Sequence, residues 1–514
     1  MSSGKVAMNT AALFARQAAI LLINLYSIRI LLSGLGIDDF ALFSVIANIV
    51  ALGSFLPGAL GMITQRYFSF EIGKGEDGGL KRIHDASLVL CIGVTLVVVL
   101  ALETAGVWFV ANHLVVDPAR SSAAHTLFQL TIFSFVAANL TGFYSSVIMA
   151  HEDMHVFALL SVLDALLRLG AVLSLGVLGG DKLIVYGFLL CGVSATILTA
   201  FWILCGRRYE ECRPRWFRFE IGTLREMVGF AGWTLFGQVT TVSRNQAVTI
   251  LINQAFNPAT VAARALAASV SSQVLTFSGN FSAAIHPPII KAHAAGEKKH
   301  MFDMIFTGSK ITFLLVWVAT LPTMAVLPGI LKLWLGAYPP DTVLFVRLGL
   351  IENAVMAVSL PLMTAVRATG RMRLYETSLG SLQLLIFALS WLLVKAGQPA
   401  YFVYLVAITI NVVMFAVRLA IVKHLTGLSV TDYLRAVLLP LLLVVAVSTL
   451  LVMGVLRLAP SASDLPIAAG PLGAAALICL LPLAVAYAIG LSGGEHRALN
   501  GMIRGRMAGL GSRA

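Results

Sequence analysis

The stretch "GRRYEECRPRWFRFEIGTLRE", residues 206–226, is a long charged connection in a chain that is otherwise mostly apolar. The chain has 514 residues, of which 59% are hydrophobic and 12% are charged, and its mean hydropathy is +0.90. A soluble protein covers its surface with polar side chains, so this composition indicates a polytopic α-helical membrane protein. The net charge of +12 is then explained by basic connections at a membrane surface, and nucleic acid is not an expected partner.

Apolar segments long enough to cross a bilayer lie on both sides of this connection. A spanning helix needs about 20 predominantly apolar residues. Six such segments precede the basic stretch and eight follow it, which predicts an all-α fold with about 14 transmembrane helices. The predicted limits are 10–33, 39–65, 85–111, 125–149, 156–179, 183–205, 227–253, 259–288, 304–333, 343–365, 375–396, 400–422, 436–457 and 467–491.

Lysine and arginine are concentrated in alternate connections, beginning with Lys74, Lys81 and Arg82 and including the stretch 206–226. The opposite connections hold little beyond Arg120 and Lys182. Because basic loops stay in the cytoplasm, both termini are expected there.

A weak internal repeat relates the two sides of the basic connection at an offset of 221 residues. "LFARQ" (13–17) matches "TLFGQ" (234–238), and "GKGED" (73–77) matches "AAGEK" (294–298). Six helices per half make this a parallel repeat, as in transporters whose two lobes enclose a central cavity, although chance similarity between apolar helices is the alternative. The predicted domains are an N-lobe, 1–222, a C-lobe, 223–430, and a C-terminal helix pair with a basic tail, 431–514.

Basic residues also fall inside the predicted spans, where an unpaired charge facing lipid costs several kcal/mol. Those near the helix ends are expected to snorkel to the membrane surface. Arg168 lies near the middle of its helix, and Asp164 is four residues earlier on the same face, so the two are expected to form an ion pair of structural or functional importance. Snorkelling is a strong structural alternative to a functional role for Arg66, Lys310, Lys332, Lys395 and Arg418.

Three helices carry a stripe of small and polar residues that includes an arginine, at about 100° per residue. On the helix 259–288 the stripe contains Arg264, Ser271, Ser278 and Ser282. Such stripes also serve close helix packing. An arginine on each stripe instead favours a water-filled cationic cavity, and guanidinium groups bind phosphate well. The other two stripes include Arg16, flanked by Asn24, and Asn48 with Arg66.

The helix 227–253 has an uncharged polar stripe of Gln238, Thr241, Asn245, Thr249 and Asn253, with Gln246 beside it. This stripe is expected to line the cavity. Arg244 lies about 120° away, which places it nearer a helix–helix contact.

Motifs for catalysis are missing from the sequence, so neither an enzyme nor a cofactor is expected. It has no nucleotide-binding "GxxxxGK[ST]" and no zinc-type spacing of histidine and cysteine. "HEDMH" (151–155) is expected to be solvated at the membrane surface, and "HPP" (286–288) is expected to end or kink its helix.

Several stretches resemble bacterial polysaccharide-biosynthesis membrane proteins, the oligosaccharide flippases of the multidrug/oligosaccharidyl-lipid/polysaccharide (MOP) superfamily. They are "LYSIRILLSGLGIDDFALFSVIANIVALGSFLPGALGMITQRYFSFEIGKG", "AHEDM", "NQAFNPATVAARALAASVSSQVLTFSGNFSAAIHPPIIKAHAAGE", "LKLWLG" and "ATGRMRLYE". The resemblance covers roughly residues 9–430. It departs from the family pattern where His286 and Pro287 replace an expected Asn-Pro pair, and where Arg244 replaces a lysine or a neutral residue.

The resemblance implies an inner-membrane flippase that carries a polyprenyl-pyrophosphate-linked oligosaccharide by alternating access, for O-antigen, capsule or exopolysaccharide synthesis. It implies H⁺ or Na⁺ as a coupling ion, and a polymerase and glycosyltransferases as partners. The alternatives are an ion-coupled multidrug exporter, a membrane glycosyltransferase and a non-transporting scaffold. Pyrophosphate ligands are expected at Arg16, Arg29, Arg66 and Arg264, and sugar ligands at Asn24, Asn48, Gln246, Asn253 and Asn280; Arg244, Arg168 and Asp164 complete the predicted substrate site.

Overall fold

The computed structural model describes residues 3–51, 53, 55–75, 79–112, 120–213, 220–335, 338–458 and 472–497. Within these ranges every regular element is an α-, 3₁₀- or π-helix. The predicted all-α class is therefore confirmed. The chain forms two compact units, one of residues 7–235 and one that runs from residue 236 onward. The domain limits expected at residues 222 and 430 stay predictions.

The first unit contains the helices that precede the basic connection. α6 is its central element and packs against α2, α3, α4 and α8. Its apolar side chains Leu127 and Phe128 belong to the buried core together with Ile46 of α2. The helices are α1 (Ser3–Leu35), α2 (Ile37–Ala51), α3 (Phe55–Lys74), α4 (Gly79–Ala101), α5 (Val107–Asn112), α6 (Ser121–Ala150), α7 (Met154–Ser174) and α8 (Lys182–Arg208).

The second unit is built around α10, which packs against α11, α13 and α14. α9 contains the boundary between the units. The helices are α9 (Ile221–Ala255), α10 (Pro258–Ala294), α11 (Lys298–Ala325), α12 (Leu327–Leu335), α13 (Thr342–Ala357), α14 (Leu360–Thr369), α15 (Met372–Lys395), α16 (Phe402–Thr426), α17 (Val430–Tyr433), α18 (Leu439–Leu458) and α19 (Leu472–Val485).

Each predicted span coincides over most of its length with one of these helices or with two consecutive ones, and the first part of the last span, 467–471, lies outside the described residues. Nine helical stretches of the described chain are long and apolar enough to cross a membrane. α9 is not among them, although it has 35 residues, because polar side chains interrupt it between residues 237 and 254. α1 and α10, with 33 and 37 residues, are not among the nine either, so length alone does not decide which helices of the described chain are apolar enough to cross a membrane.

The sequence "HPP" does not end its helix. α10 continues through Pro287 and Pro288 to Ala294, and Gly296 follows the helix end with a φ of 74°. The expectation of a helix end at the prolines is wrong. The chain leaves the helix only where a glycine accepts the left-handed conformation that other residues avoid.

Candidate anion-binding site

The candidate site lies in the second unit, where α10 and α13 begin side by side. The Asn257 side chain accepts a hydrogen bond from the Thr260 amide at 2.9 Å and caps α10, and Pro258 occupies its first turn. The Thr260 hydroxyl also contacts the Asp341 carboxylate, which precedes α13, at 3.3 Å. The first residues of the two helices are therefore at the same end of the unit.

Charged side chains lie one to three turns beyond this end. Arg264 is six residues after Pro258, about 9 Å along α10, and Glu352 is ten residues after Thr342, about 15 Å along α13. Arg244 precedes the end of α9 by eleven residues, which is about 16 Å. In a hydrocarbon core about 30 Å thick these depths approach the midplane.

Glu352 connects three helices through a single carboxylate oxygen. Its Oε1 accepts hydrogen bonds from Arg244 Nη1 of α9 at 3.5 Å and from Asn411 Nδ2 of α16 at 3.1 Å. The side chains of Arg244 and Glu352 are only 13% and 15% exposed. The ion pair is thus largely buried, where its electrostatic interactions are screened less than at a surface.

Arg264 is the second cation of the site. Its guanidinium lies over the ring of Tyr404, 5.8 Å from the ring centre, and it is close enough to Arg244 for the two charges to repel each other. In the described part of the chain Arg264 forms no ion pair with an acidic residue. Two guanidinium groups and one carboxylate therefore leave the cluster with an excess positive charge.

Close packing of α10 against α13 supports the cluster. A Cβ atom added at Gly349 would lie 2.7 Å from the Ser271 hydroxyl oxygen, and Asn353 donates to the Ser271 carbonyl at 2.7 Å. Ser278 and Ser282 are also buried. The assignment of these serines to a water-filled cavity is therefore wrong. They belong to a helix-packing face, which is the alternative use of small residues in membrane helices.

The polar stripe of α9 is more accessible than that of α10. Asn245, Gln246, Thr249 and Asn253 are exposed, whereas Arg244 is held against α13 through Glu352. The helical wheel predicted this difference between Arg244 and the uncharged stripe. The roles of Gln246 and Asn253 in sugar binding stay predictions.

In the first unit, Arg66 is 5% exposed and does not snorkel. Its guanidinium lies 4.4 Å from the ring centre of Tyr67, 5.2 Å from that of Phe70 and 5.1 Å from that of Phe230. Arg16 lies over the ring of Phe157 at 4.9 Å. These cation–π contacts stabilise desolvated guanidinium groups.

The remaining predicted ligands are in different surroundings. Arg168 Nε contacts both carboxylate oxygens of Asp164, at 3.0 and 3.1 Å, so the expected ion pair is present. Asn24 is exposed, whereas Asn280 is 6% exposed and belongs to the packed interior of its unit. The side chains of Arg29 and Asn48 lie outside the described residues.

Snorkelling is also wrong for two other basic residues. Lys310 is 6% exposed and pairs with Glu495 at 2.5 Å, and Arg418 donates to the Tyr375 hydroxyl at 2.8 Å. Lys332 and Lys395 are exposed near helix ends, as expected. The position of a basic residue along its helix therefore does not predict whether its side chain is paired or exposed to solvent.

The "HEDMH" connection is held by α8 and the turn after it, so its expected solvation holds for the exposed His155 but is wrong for the buried Glu152, and His151 and Asp153 are half-buried. His151 Nε2 lies 2.7 Å from Glu211, and Asp153 accepts hydrogen bonds from Arg208 and Tyr209 at 3.0 and 2.8 Å. Burial raises the pKa of Glu211, but the contact with His151, a backbone hydrogen bond and the nearby His84 together outweigh burial and hold that pKa below its usual range. No three His, Cys, Asp or Glu side chains of the described chain are grouped to hold a metal.

Glu352, Asn411 and Tyr404 are absent from the predicted site. Tyr404 and Asn411 lie seven residues apart on one face of α16, and Glu352 lies on α13 beside Asn353, but neither helix was selected from the sequence. The available signal is the scarcity of acids in the spans, which makes Glu352 one of few residues able to neutralise an intramembrane arginine.

Comparison with solved structures identifies proteins that have a similar fold. No protein-family profile matches the sequence, and no curated protein matches it significantly. Solved structures do match: a MATE transporter in the straight conformation is similar with a TM-score of 0.70 and 14% identity over 82% of this chain and 96% of that one.

Two further structures carry informative descriptions. One is the outward-facing conformation of a multidrug resistance MATE family transporter of the MOP superfamily, with a TM-score of 0.68, 14% identity and coverage of 82% and 95%. The other is a MOP superfamily transporter from Pyrococcus furiosus described by the reverse polarity of its binding pocket, with a TM-score of 0.62, 14% identity and the same coverage. The chain is a multi-pass membrane protein with the fold of MATE transporters of the MOP superfamily.

Proposed function

We propose that this protein is a flippase that moves a polyprenyl-pyrophosphate-linked oligosaccharide across the bacterial inner membrane for surface polysaccharide synthesis. The observation that carries the proposal is the excess positive charge of the Arg244–Arg264–Glu352 cluster. A cluster of this sign within a membrane is stabilised by an anionic ligand, and guanidinium groups match the oxygen geometry of phosphate.

The proposed chemistry is recognition and not covalent change. Arg264 and Arg244 would contact the pyrophosphate, and the exposed amides Gln246 and Asn253 of α9 would donate to and accept from sugar hydroxyls. Arg16, Arg29 and Arg66 remain proposed pyrophosphate ligands, and Asn24, Asn48 and Asn280 proposed sugar ligands. The prenyl tail would stay in the bilayer, while H⁺ or Na⁺ would supply energy and a polymerase and glycosyltransferases would be partners.

The second candidate is an ion-coupled multidrug exporter. Glu352 favours it, because a buried carboxylate among helices is a group that binds a cation or a proton. Among proteins with this fold is a multidrug resistance transporter. The two candidates differ in the substrate's charge, because an exporter of organic cations would require Glu352 to be free of its arginine partner.

Replacement of Arg264 by alanine tests the proposal in cells lacking the native gene. The flippase predicts at least a tenfold loss of surface glycan and accumulation of the lipid-linked oligosaccharide, since the loss of a charge-assisted contact costs about 1.5–3 kcal/mol. Lys395→Ala is the matched control, because Lys395 is an exposed basic residue at a helix end. Normal glycan export by a membrane-inserted Arg264→Ala protein, with altered susceptibility to cationic drugs, would support the exporter.

A further inference from the structure

We propose that Glu352 is a resident counter-anion that the substrate diphosphate displaces from Arg244, and that this exchange makes the site selective for a diphosphate over a monophosphate. The inference rests on the proposed function and deepens it. In the free protein, the Glu352 carboxylate occupies the position beside Arg244 that one phosphate group takes when the substrate binds.

The first observation is that Arg244 and Glu352 are joined by a weak contact. They share one hydrogen bond at 3.5 Å, whereas charge-assisted N–H···O bonds are usually about 2.7–2.9 Å and arginine often binds a carboxylate through two parallel bonds. Arg244 Nη2 donates at 2.8 Å to the neutral amide oxygen of Asn245, and Arg244 Nε is buried with no hydrogen-bond partner. The guanidinium therefore keeps donor capacity that Glu352 does not use.

The second observation is that Glu352 has another hydrogen-bond partner, on a helix other than α9. Asn411 of α16 donates to the same carboxylate oxygen at the shorter distance of 3.1 Å, and Asn411 is 6% exposed. This bond does not depend on Arg244. When an anion binds the Arg244 guanidinium in place of Glu352, the Glu352 carboxylate still accepts a hydrogen bond from Asn411. Displacement therefore does not leave a buried acceptor unsatisfied.

The third observation is the charge balance. Within the described Arg244–Arg264–Glu352 cluster, Arg264 carries the one uncompensated charge while Glu352 pairs with Arg244, which suits the single charge of a phosphodiester. A prenyl diphosphate sugar carries two charges, and displacement of Glu352 presents two guanidinium groups to them. Arg264 is partly exposed, and Asn245, which accepts a hydrogen bond from Arg244, is exposed. A ligand can therefore approach both Arg264 and Arg244.

The test measures ligand binding to the purified full-length protein in nanodiscs. The probes are farnesyl diphosphate N-acetylglucosamine and farnesyl phosphate N-acetylglucosamine, compared in the wild type and in Glu352→Gln. Glutamine has the same shape and keeps an acceptor for Asn411, so folding is retained. We expect Glu352→Gln to bind the diphosphate probe about tenfold more tightly, because the internal competitor loses its charge. We expect its glycan export to fall, because release becomes slower.

Control variants separate this exchange from a general effect of removing an acid. Glu103→Gln removes another carboxylate from a membrane helix, one that accepts a hydrogen bond from Gln129 in the first unit. This variant should bind the diphosphate and the phosphate probe with the affinities of the wild type. Weaker or unchanged binding of the diphosphate probe by Glu352→Gln would overturn the inference. A wild type that binds both probes equally would also overturn it.

Failure of the inference differs from failure of the proposed function. If Arg264→Gln abolishes binding of the diphosphate probe while Glu352→Gln leaves the affinity unchanged, the flippase assignment stands and the role of Glu352 is wrong. If the wild type binds neither probe, the flippase assignment itself is wrong.

Discussion

At the scale of single residues, the arginines of this protein are held by different kinds of partner. Arg66 is surrounded by aromatic rings, Arg168 is paired with a carboxylate one turn away, and Arg244 meets a carboxylate from a distant part of the sequence. Each arrangement lowers the cost of burying a charge, but only the last leaves a neighbouring cation without an acidic partner. This is why the second unit carries the anion site in our proposal.

Gly349 provides a prediction at the same scale. Replacement by valine would push α13 away from α10, because its Cβ alone would lie 2.7 Å from the Ser271 hydroxyl oxygen. We expect a loss of about 2 kcal/mol in the free energy of unfolding and reduced glycan export, because Glu352 lies one turn further along α13. Thermal unfolding of the purified protein measures the first effect.

Gly279→Val is the control for this experiment, because no atom lies within 4 Å of a Cβ added at Gly279 on α10. Its unfolding temperature should match that of the wild type. Equal stability of the two variants would show that the close approach of α10 and α13 is not required.

The residues of the candidate site were only partly predictable from the sequence. Helical periodicity placed Arg244 on a contact face and its polar neighbours on another, since both follow from the geometry of one helix. It could not identify Glu352 as the partner of Arg244, 108 residues away, because that pairing depends on how α9 and α13 pack. The stripe containing Ser271 was misjudged because small polar residues serve both packing and hydration.

At the scale of helices, the C-terminal helix pair is docked onto α11. Trp317 donates to the Ser448 hydroxyl of α18 at 3.0 Å, and Glu495, just after α19, accepts from Lys310 and Thr307 of α11 at 2.5 and 2.9 Å. Thr307, Lys310 and Glu495 line part of a cleft of about 670 Å³. The positions of the long helices were predictable from apolar runs, whereas their ends were not: the span 39–65 is divided between α2 and α3, and α9 and α10 extend beyond their predicted limits. The docking of the helix pair was not predictable either, because the sequence repeat has no counterpart for the pair.

We predict that Glu495→Gln weakens this docking. Loss of the carboxylate leaves Lys310 charged and 7% exposed in its side chain, and such a loss costs about 3 kcal/mol. Hydrogen exchange of the α18 and α19 amides should become faster, while exchange in α6 stays the same. Glu210→Gln removes an exposed ion pair with Arg213 and serves as the control.

The docking of the C-terminal helix pair onto α11 through Glu495 has a defined pH dependence. Burial raises the pKa of Glu495, but hydrogen bonds from Lys310 and Ser492 outweigh it and hold the pKa below its usual range. Because the pKa of Glu495 is lower in the folded state, its ionisation stabilises the docked helix pair at pH values above its unfolded-state pKa, about 4.3. This stabilisation is lost as the pH falls through the folded-state pKa. The protection of the α18 and α19 amides relative to their intrinsic exchange rate at each pH should therefore fall on acidification in the wild type and not in Glu495→Gln; equal acid sensitivity would contradict this assignment.

At the scale of the whole molecule, orientation decides which side of the membrane is nearer the anion site. The site lies about 9–16 Å from the helix ends at residues 255–258 and 342, and the basic connections predict that these ends are on the outer side. α16 spans the membrane with Pro399 before its first residue and Lys423 near its last turn, and both residues are exposed. We predict that Pro399 is outside the cell and Lys423 in the cytoplasm.

Single cysteines at these two positions, in a protein from which the five native cysteines have been removed, test the orientation. A membrane-impermeant maleimide should label Pro399→Cys on intact cells and Lys423→Cys only after the membrane is permeabilised. Labelling of Lys423→Cys on intact cells would reverse the topology. A reversed topology would place the anion site nearer the cytoplasmic leaflet, so in our proposal Glu352 would be displaced when the substrate is loaded and not during its passage toward the outer leaflet.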